Sequence, residues 1–252
     1  MVKKIAYLTI DDCPSEDMKR KVDFLFEKEI PAIWFCRGEF LEKRQEVTSY
    51  AIKRGFIMGN HSYNHPLFSR ITFKECFRQI KVTDELVENA YLRAGVKRPA
   101  KLFRFPWGDK GGGFELKKGG FLPRQKNPDK IKSIQDFLRK QGYEQPSFEN
   151  IRYDWFNKAN LLKDADVWFT YDSMDWAILM EKPMYGIYGL REILKRMDED
   201  APEEGMGLNY ADSNEIILLH DLTELTFMFR PIIEKLLEKG LRFQTPKFHG
   251  TG

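Results

Sequence analysis

The sequence predicts a single α/β domain in which parallel strands alternate with helices. Three observations support this fold class. Short apolar runs rich in β-branched residues alternate with amphipathic segments along the chain. The polar motifs that begin at Thr9, Gly59 and Ile217 come at or directly after the ends of such runs, where barrel enzymes place their active sites. The length of 252 residues is common for one α/β barrel.

The predicted strands are short apolar runs bounded by turn residues. They cover residues 5–10, 32–36, 56–59, 102–105, 167–171, 215–219 and 241–244. The first helix begins at Pro14 and Ser15, and a capping box of Thr72 and Glu75 begins another that runs toward Gly95. Apolar residues at helical spacing predict further helices. These cover residues 46–54, 130–142, 189–197 and 229–239.

Composition excludes several classes of protein. The net charge is only +3, from 41 basic and 38 acidic residues, and no polybasic tract predicts a nucleic-acid partner. No run approaches the ~18 apolar residues of a membrane span. Three cysteines without a CxxC pair favour a reducing compartment, and the first residues lack the pattern of a signal peptide. The expected location is cytoplasmic, or outside the cell if a leader was removed, and the oligomeric state is left open.

Three strings place a carboxylate pair and three of the four histidines in motif settings. They are TIDDCPS at residues 9–15, GNHSYNHP at 59–66 and ILLHD at 217–221. A spacing of four residues lets one helical turn or a tight helical loop bring His61 and His65 to one face. Two imidazoles with one carboxylate, from Asp11 or Asp12, are the usual protein ligands of a catalytic zinc ion. The competing interpretation is a surface turn, because a histidine pair alone is a weak signal.

The motifs that accompany this histidine pair are a more specific signal than the pair alone. Five motifs occur in order between Thr9 and His220, namely TIDDC (9–13), HSYNH (61–65), RFPW (104–107), DSMDW (172–176) and LLH (218–220). In this set the sequence resembles the NodB-type polysaccharide deacetylase family, also called carbohydrate esterase family 4. The resemblance implies a distorted (β/α) barrel with about seven repeats.

The resemblance also implies a role for each matching residue. The implied metal ligands are Asp12, His61 and His65. The implied catalytic residues are Asp11 as general base, Arg104 as its ion-pair partner, His220 as general acid and Asp175 as the residue that tunes His220. The implied substrate-binding residues are Trp107, through its backbone amide, and Trp176 and Leu218, around the acetyl methyl group.

The resulting expectation is a metal-dependent hydrolase that removes N-acetyl groups from an amino-sugar or oligosaccharide. We expect one divalent ion, zinc by ligand preference, for which cobalt, nickel or manganese can substitute. One alternative is a metal-independent C–N hydrolase of a small non-sugar amide or imide. The other is a catalytically inactive glycan-binding relative. Retention of the three ligands argues against the first, and retention of Asp11 and His220 argues against the second.

The chain departs from the family pattern at three places. Cys13 replaces a glycine, and a small buried residue is favoured there over a metal ligand or a redox site. Trp107 replaces a tyrosine. An insertion at about residues 109–166 is far longer than an ordinary connection. Its glycines predict loop, and Trp155 is expected to pack rather than to stack on a sugar. We expect the insertion to form a lid or a side wall over the barrel mouth, the competing account being that it belongs to the main core.

Overall fold

The computed structural model describes residues 4–117, 120–123, 126–182, 184–200, 207–210 and 212–248. The strands in these ranges are β1 (Lys4–Cys13), β2 (Ala32–Cys36), β3 (Ile57–Asn60), β4 (Phe114–Lys117), β5 (Gly120–Pro123), β6 (Tyr171–Asp172), β7 (Glu215–His220) and β8 (Leu241–Phe243). Six of them form one sheet in the order β3-β2-β1-β7-β6, with β8 also paired to β1, while β4 and β5 form a separate hairpin. All pairs within the large sheet are parallel. The predicted parallel α/β class is confirmed.

The central strands are apolar on both faces, as strands of a parallel sheet must be when helices cover them. Ile10 in β1 and Leu219 in β7 are buried on one face, and Ile33 in β2 with Ile216 and Leu218 in β7 are buried on the other. The alternation expected for a half-exposed strand is therefore missing from these segments. Continuous apolar runs in the sequence were the correct signal for them.

Two predicted strands are largely irregular, and they lie where the sheet continues beyond its edges. Residues 102–105 contact β3 through one bridge between Asn60 and Phe103. The amide of Val167 then donates to the carbonyl of Phe103 at 2.8 Å, and the amide of Thr170 donates to Ile216 in β7 at 2.8 Å. A few backbone hydrogen bonds therefore link β3 back to β7 in a ring, an arrangement consistent with the predicted distorted barrel.

The irregularity has a physical cause. The carbonyls of Val167 and Trp168 accept hydrogen bonds from the side chain of Arg104 instead of taking part in a ladder. The carbonyl of Arg104 is itself bound to a histidine ring. Pro106, which has no backbone N–H, ends the extended segment. These segments support a site at the expense of regular strand pairing.

The helices lie between the strands as predicted. They are α1 (Met18–Glu27), α2 (Gly38–Leu41), α3 (Gln45–Lys53), α4 (Phe73–Ala94), α5 (Pro128–Lys140), α6 (Asp154–Lys158), α7 (Leu190–Arg196) and α8 (Thr226–Glu238). The capping box is present, since Thr72 accepts from the amide of Glu75, and Gly95 ends α4 in the left-handed conformation. The sequence patterns did not predict the short helices α2 and α6. Among the described helices, none has the length and apolarity needed to cross a membrane.

The insertion belongs to the core, as the competing account had it. Ile134 and Leu138 of α5 are fully buried in an apolar cluster that also contains Phe103 and Phe105. Beyond α5, the hydroxyl of Tyr143 accepts a hydrogen bond of 2.7 Å from the side chain of Asn60 at the end of β3. The insertion therefore supports the sheet from one side.

The glycines at the start of the insertion form a turn around a carboxylate. Asp109 accepts hydrogen bonds from the amides of Gly111 and Gly113 at 2.9 and 2.7 Å, and both glycines have positive φ. The predicted loop is present here. Of the next glycine pair, Gly119 lies outside the described residues and Gly120 begins β5. Trp155 packs against the main core and contacts the ring of Phe156, as predicted.

We predict that Leu138→Ala lowers the free energy of unfolding of the whole domain by about 2–5 kcal/mol, because it leaves a cavity in a shared core. The matched control is Leu92→Ala, whose side chain is 69% exposed on α4 and whose change should stay within about 0.5 kcal/mol. Urea unfolding followed by circular dichroism measures both. A separate early transition of the insertion would mean that it is a detachable lid.

Candidate active site

The two neighbouring aspartates reach the same cavity because β1 is irregular at its carboxyl end. In a regular strand consecutive side chains point to opposite faces, so Asp11 and Asp12 would diverge. Here the register with β2 shifts between Ile10 and Cys13, and Asp12 has a φ of 63°. Aspartate tolerates this left-handed conformation better than most residues. The side chains of Asp11 and Asp12 consequently line one cavity.

The histidine pair lies on a loop that follows β3, and the predicted helical turn is absent. Ser62 and His65 both have positive φ, at 65° and 58°, and these reversals bring the two imidazole rings within 4.9 Å of each other. The loop is held at its start and its middle, because Asn60 accepts from the amide of Ser62 and Gln79 of α4 accepts from the amides of Tyr63 and Asn64. Helical spacing therefore identified two histidines that the structure does bring together, although a loop and not a helical turn does so.

The structure brings together the three predicted metal ligands. One donor atom each from Asp12, His61 and His65 lies within 4.8 Å of the other two. The Oδ1 atom of Asp12 is 3.5 Å from Nε2 of His65 and 3.9 Å from Nε2 of His61. No described residue donates a hydrogen bond to this buried oxygen. A buried carboxylate oxygen without a hydrogen-bond partner, facing two imidazole nitrogens, fits a divalent cation.

The second ring nitrogen of His61 is already engaged. Its Nδ1 lies 2.9 Å from the carbonyl oxygen of Arg104 and, as a donor to that oxygen, leaves Nε2 free to accept a metal ion. Burial lowers the pKa of His61 well below its usual value and also lowers that of His65. Both imidazoles are therefore neutral at pH 7, which is the form that binds metals.

The pKa of Asp12 responds to opposing effects. Burial alone raises it, but the nearby His65, His61, His220 and Arg37 together outweigh burial, and the pKa falls below the usual value. Asp12 is consequently ionised at neutral pH. An ionised carboxylate beside two neutral imidazoles is the protonation state that a divalent ion requires of its ligands.

Asp11 is held by a buried arginine. The Oδ1 atom of Asp11 accepts a hydrogen bond of 2.9 Å from Nη1 of Arg104, and its Oδ2 atom lies 3.5 Å from Nε2 of His61. The same nitrogen of Arg104 donates to the hydroxyl of Thr9 at 2.8 Å. One carboxylate oxygen is thus fixed by a charge-assisted bond, while the other faces the candidate metal centre.

His220 ends β7 beside Asp11, its register partner on β1. Its Nδ1 lies 2.7 Å from Oδ1 of Asp175, and its backbone amide donates to the other oxygen of Asp175 at 2.9 Å. Burial lowers the pKa of His220, but the charge and the hydrogen bond of Asp175 prevail and raise it to about 10. The imidazole is therefore protonated at neutral pH.

The predicted substrate-binding residues line the same cavity of about 420 Å³. Leu218 lies on its buried side, Trp176 donates from its ring to Asp172 at 3.0 Å, and Trp107 is half exposed at the mouth. The backbone of Trp107 has positive φ, in a turn closed by the amides of Gly108 and Asp109. The oxyanion role of the Trp107 amide stays a prediction.

Sequence reasoning missed several residues of the cavity. Arg37, Asp172, Trp168 and Phe169 line it but were given no role. Arg37 directly follows β2, and its Nη1 atom lies 3.7 Å from Oδ1 of Asp12. Its position after a buried strand was the signal that could have identified it. Asp172 stands in a motif that had been found, and burial raises the pKa of its carboxyl group.

Cys13 is buried behind the site. Its Sγ atom lies 3.0 Å from that of Cys36 on the neighbouring strand, and the thiol is absent from the group of metal-ligating atoms. Burial raises the pKa of Cys13 well above its usual value, so the thiol stays protonated. This agrees with the predicted small buried residue in the position of a glycine.

The parallel fold and its carboxyl-end cavity define a class, that of α/β proteins with a candidate Asp-His-His metal centre. The profile of the polysaccharide deacetylase family matches residues 1–116. Over 87 residues, 34% of the chain, the sequence is 32% identical to a peptidoglycan-N-acetylmuramic acid deacetylase of Bacillus subtilis and spans only 19% of that relative. A putative polysaccharide deacetylase of the same species is 24% identical over 243 residues, 96% of the chain and 67% of the relative.

The fold is also similar to a solved structure. A family 4 carbohydrate esterase from Streptomyces lividans, in complex with acetate, matches with a TM-score of 0.60 and 18% identity, over 97% of this chain and 94% of that one. Residues 1–116, just under half of the chain, thus match the polysaccharide deacetylase family, and nearly the whole chain shares the fold of a family 4 carbohydrate esterase.

The ion pair between His220 and Asp175 gives a testable titration. We predict that the imidazole of His220 titrates near pH 10, and that Asp175→Asn lowers the pKa of His220 to 6.5 or below. An NMR titration of the imidazole measures both values. Because the folded pKa is raised, the pair stabilises the fold fully below about pH 6.5 and loses this effect as the pH rises through about 10. Asp198→Asn, on the surface, is the control. A wild-type pKa near 6.5 would contradict the account.

Proposed function

We propose that this protein is a metal-dependent hydrolase that removes N-acetyl groups from an amino-sugar or oligosaccharide substrate. The observation that carries the proposal is the arrangement around one cavity. The ligand set of Asp12, His61 and His65 lies beside an arginine-held Asp11, and the protonated His220 lines the same cavity. Deacetylase names among the relatives support the same activity.

Hydrolysis of an unactivated amide needs an attacking water, stabilisation of the tetrahedral oxyanion and a proton for the departing amine. A divalent ion held by the three ligands would supply Lewis acidity, which polarises the acetyl carbonyl and acidifies the water. Asp11 takes the proton of the attacking water at Oδ2, the oxygen not bound to Arg104. His220, whose Nδ1 is bound to Asp175, gives a proton from Nε2 to the leaving nitrogen.

Zinc is the proposed ion, because two imidazoles and one carboxylate are its usual ligands in catalytic sites. Cobalt, nickel and manganese are the proposed substitutes, since mixed nitrogen and oxygen ligands accept several divalent ions. The proposed substrate is acetylated at an amino group of a sugar, and neither nucleic acid nor a membrane span enters this function.

The division of work between the two aspartates tests the proposal. Acetate release is measured with zinc-loaded protein on a panel that includes N-acetylglucosamine oligomers and muramic acid derivatives. We expect Asp11→Asn to keep the metal and to lose turnover by at least about 100-fold, because it removes the general base. Asp12→Asn should lose both, because it removes a ligand. The control is Asp154→Asn, whose side chain is 89% exposed.

Other outcomes would identify the alternatives. Turnover that survives removal of the metal by a chelator would indicate a metal-independent C–N hydrolase. Zinc-loaded protein that binds sugars but releases no acetate from any member of the panel would indicate an inactive relative. Loss of metal in Asp11→Asn with retention in Asp12→Asn would mean that the two roles are exchanged.

A further inference from the structure

The cavity is divided into a polar region and a larger apolar region. Its polar groups cluster around the candidate metal centre and His220. Most of the remaining lining is apolar, and it extends from Leu218 and Phe169, which are buried, to Leu179 and Met180 at the mouth. Leu179 and Met180 are 44% and 42% exposed; Leu179 ends the 3-10 turn that begins at Asp175, and Met180 follows it. Apolar surface of this kind beside a reacting centre calls for an apolar ligand group.

The strand register shows that the apolar region extends below the reacting groups. Asp11 pairs with His220 across β1 and β7, and Thr9 pairs with Leu218 two residues earlier. Leu218 therefore lies about 6–7 Å deeper than His220 on the same face of β7. Phe169 is buried and also lines the cavity. The whole cavity of about 420 Å³, which includes the polar region and the mouth, is larger than an acetyl group.

The polar side chains near this region are already occupied. Arg104 donates hydrogen bonds to Thr9, Asp11 and the carbonyls of Val167 and Trp168. Asp172 accepts from the amide of Met174 and from the ring of Trp176. A sugar placed here would lose the hydrogen bonds that its hydroxyl groups make with water, and the described residues offer few replacements. A hydrocarbon chain has no such requirement.

We infer that the cavity accepts an acyl group longer than acetyl, with a hydrocarbon chain of about four to eight carbons. This inference rests on the proposed function. The bond broken is the same C–N bond. The water oxygen bonds to the acyl carbon, the water proton goes to Asp11, and the leaving nitrogen takes a proton from His220. The products are a short-chain fatty carboxylate and a free amino-sugar, which stays toward solvent because its hydroxyl groups need water.

An acyl-length series on one leaving group tests the inference. The substrates are N-acetyl, N-butyryl, N-hexanoyl and N-octanoyl glucosamine, hydrolysed by zinc-loaded protein. We expect kcat/KM to rise from acetyl to a maximum at four to eight carbons. Each buried methylene should contribute up to about fourfold, and the total gain should be at least about tenfold. A second series keeps the acetyl group and lengthens an alkyl aglycone on the sugar, and we expect a smaller gain there.

Variants separate a wall of the acyl site from general stability. Met180→Ser should lower the ratio of hexanoyl to acetyl kcat/KM by about fivefold or more, because it makes part of the wall polar. Leu92→Ser, at a more exposed apolar position on α4 outside the cavity, should leave the ratio unchanged. Highest kcat/KM for acetyl with a steady fall along the series would overturn the inference while the proposed function stands. A larger gain in the aglycone series would also overturn it. Hydrolysis of no substrate at all would instead refute the proposed function.

Discussion

The buried guanidinium of Arg104 is the interaction on which the rest of the site depends. It joins Thr9 and Asp11 on β1 to the carbonyls of Val167 and Trp168, and it lies 4.5 Å from the ring of Phe35. A buried charge is stable only when it is paired and fully hydrogen-bonded, and these contacts meet that condition. The same residue orients His61 through its carbonyl oxygen. The proposed general base, one candidate metal ligand and the backbone of Trp168, which lines the cavity, are therefore held by one residue.

This dependence explains why the sheet is irregular near the cavity. The segments at 102–105 and 167–170 use backbone carbonyls for Arg104 and His61 that a regular strand would use for its neighbour. The insertion supports this irregular part of the sheet through other contacts. Asn60 donates a hydrogen bond to the hydroxyl of Tyr143, and the apolar face of α5 packs on Phe103. Its removal would take support from the histidine loop as well as from the core. The long insertion is thus part of the scaffold of the site.

Much of the fold could be predicted from the sequence because local signals agreed with tertiary packing. Strand β2 was predicted to the residue from an apolar run, and the Thr72 capping box fixed the start of α4. The left-handed conformations of Asp12 and His65 could not be predicted, since spacing rules assume regular backbone. The contacts of α5 could not be predicted either, because helical periodicity shows that one face of a helix is apolar but not which residues that face contacts. The candidate ligands and the pairs Asp11–Arg104 and Asp175–His220 came from motifs. Phe169 belongs to no motif and needed the structure, whereas Arg37 could have been identified from its position directly after β2.

The central claim is that Asp12, His61 and His65 hold one divalent ion between the arginine-held base and the aspartate-held acid. Anomalous diffraction at the zinc absorption edge, from crystals of protein purified without chelator and soaked in zinc, tests it most directly. The account predicts one peak about 2.0–2.2 Å from a carboxylate oxygen of Asp12 and from Nε2 of both histidines. A peak ligated by Cys13 or His220, or no peak among the three predicted ligands, would contradict it.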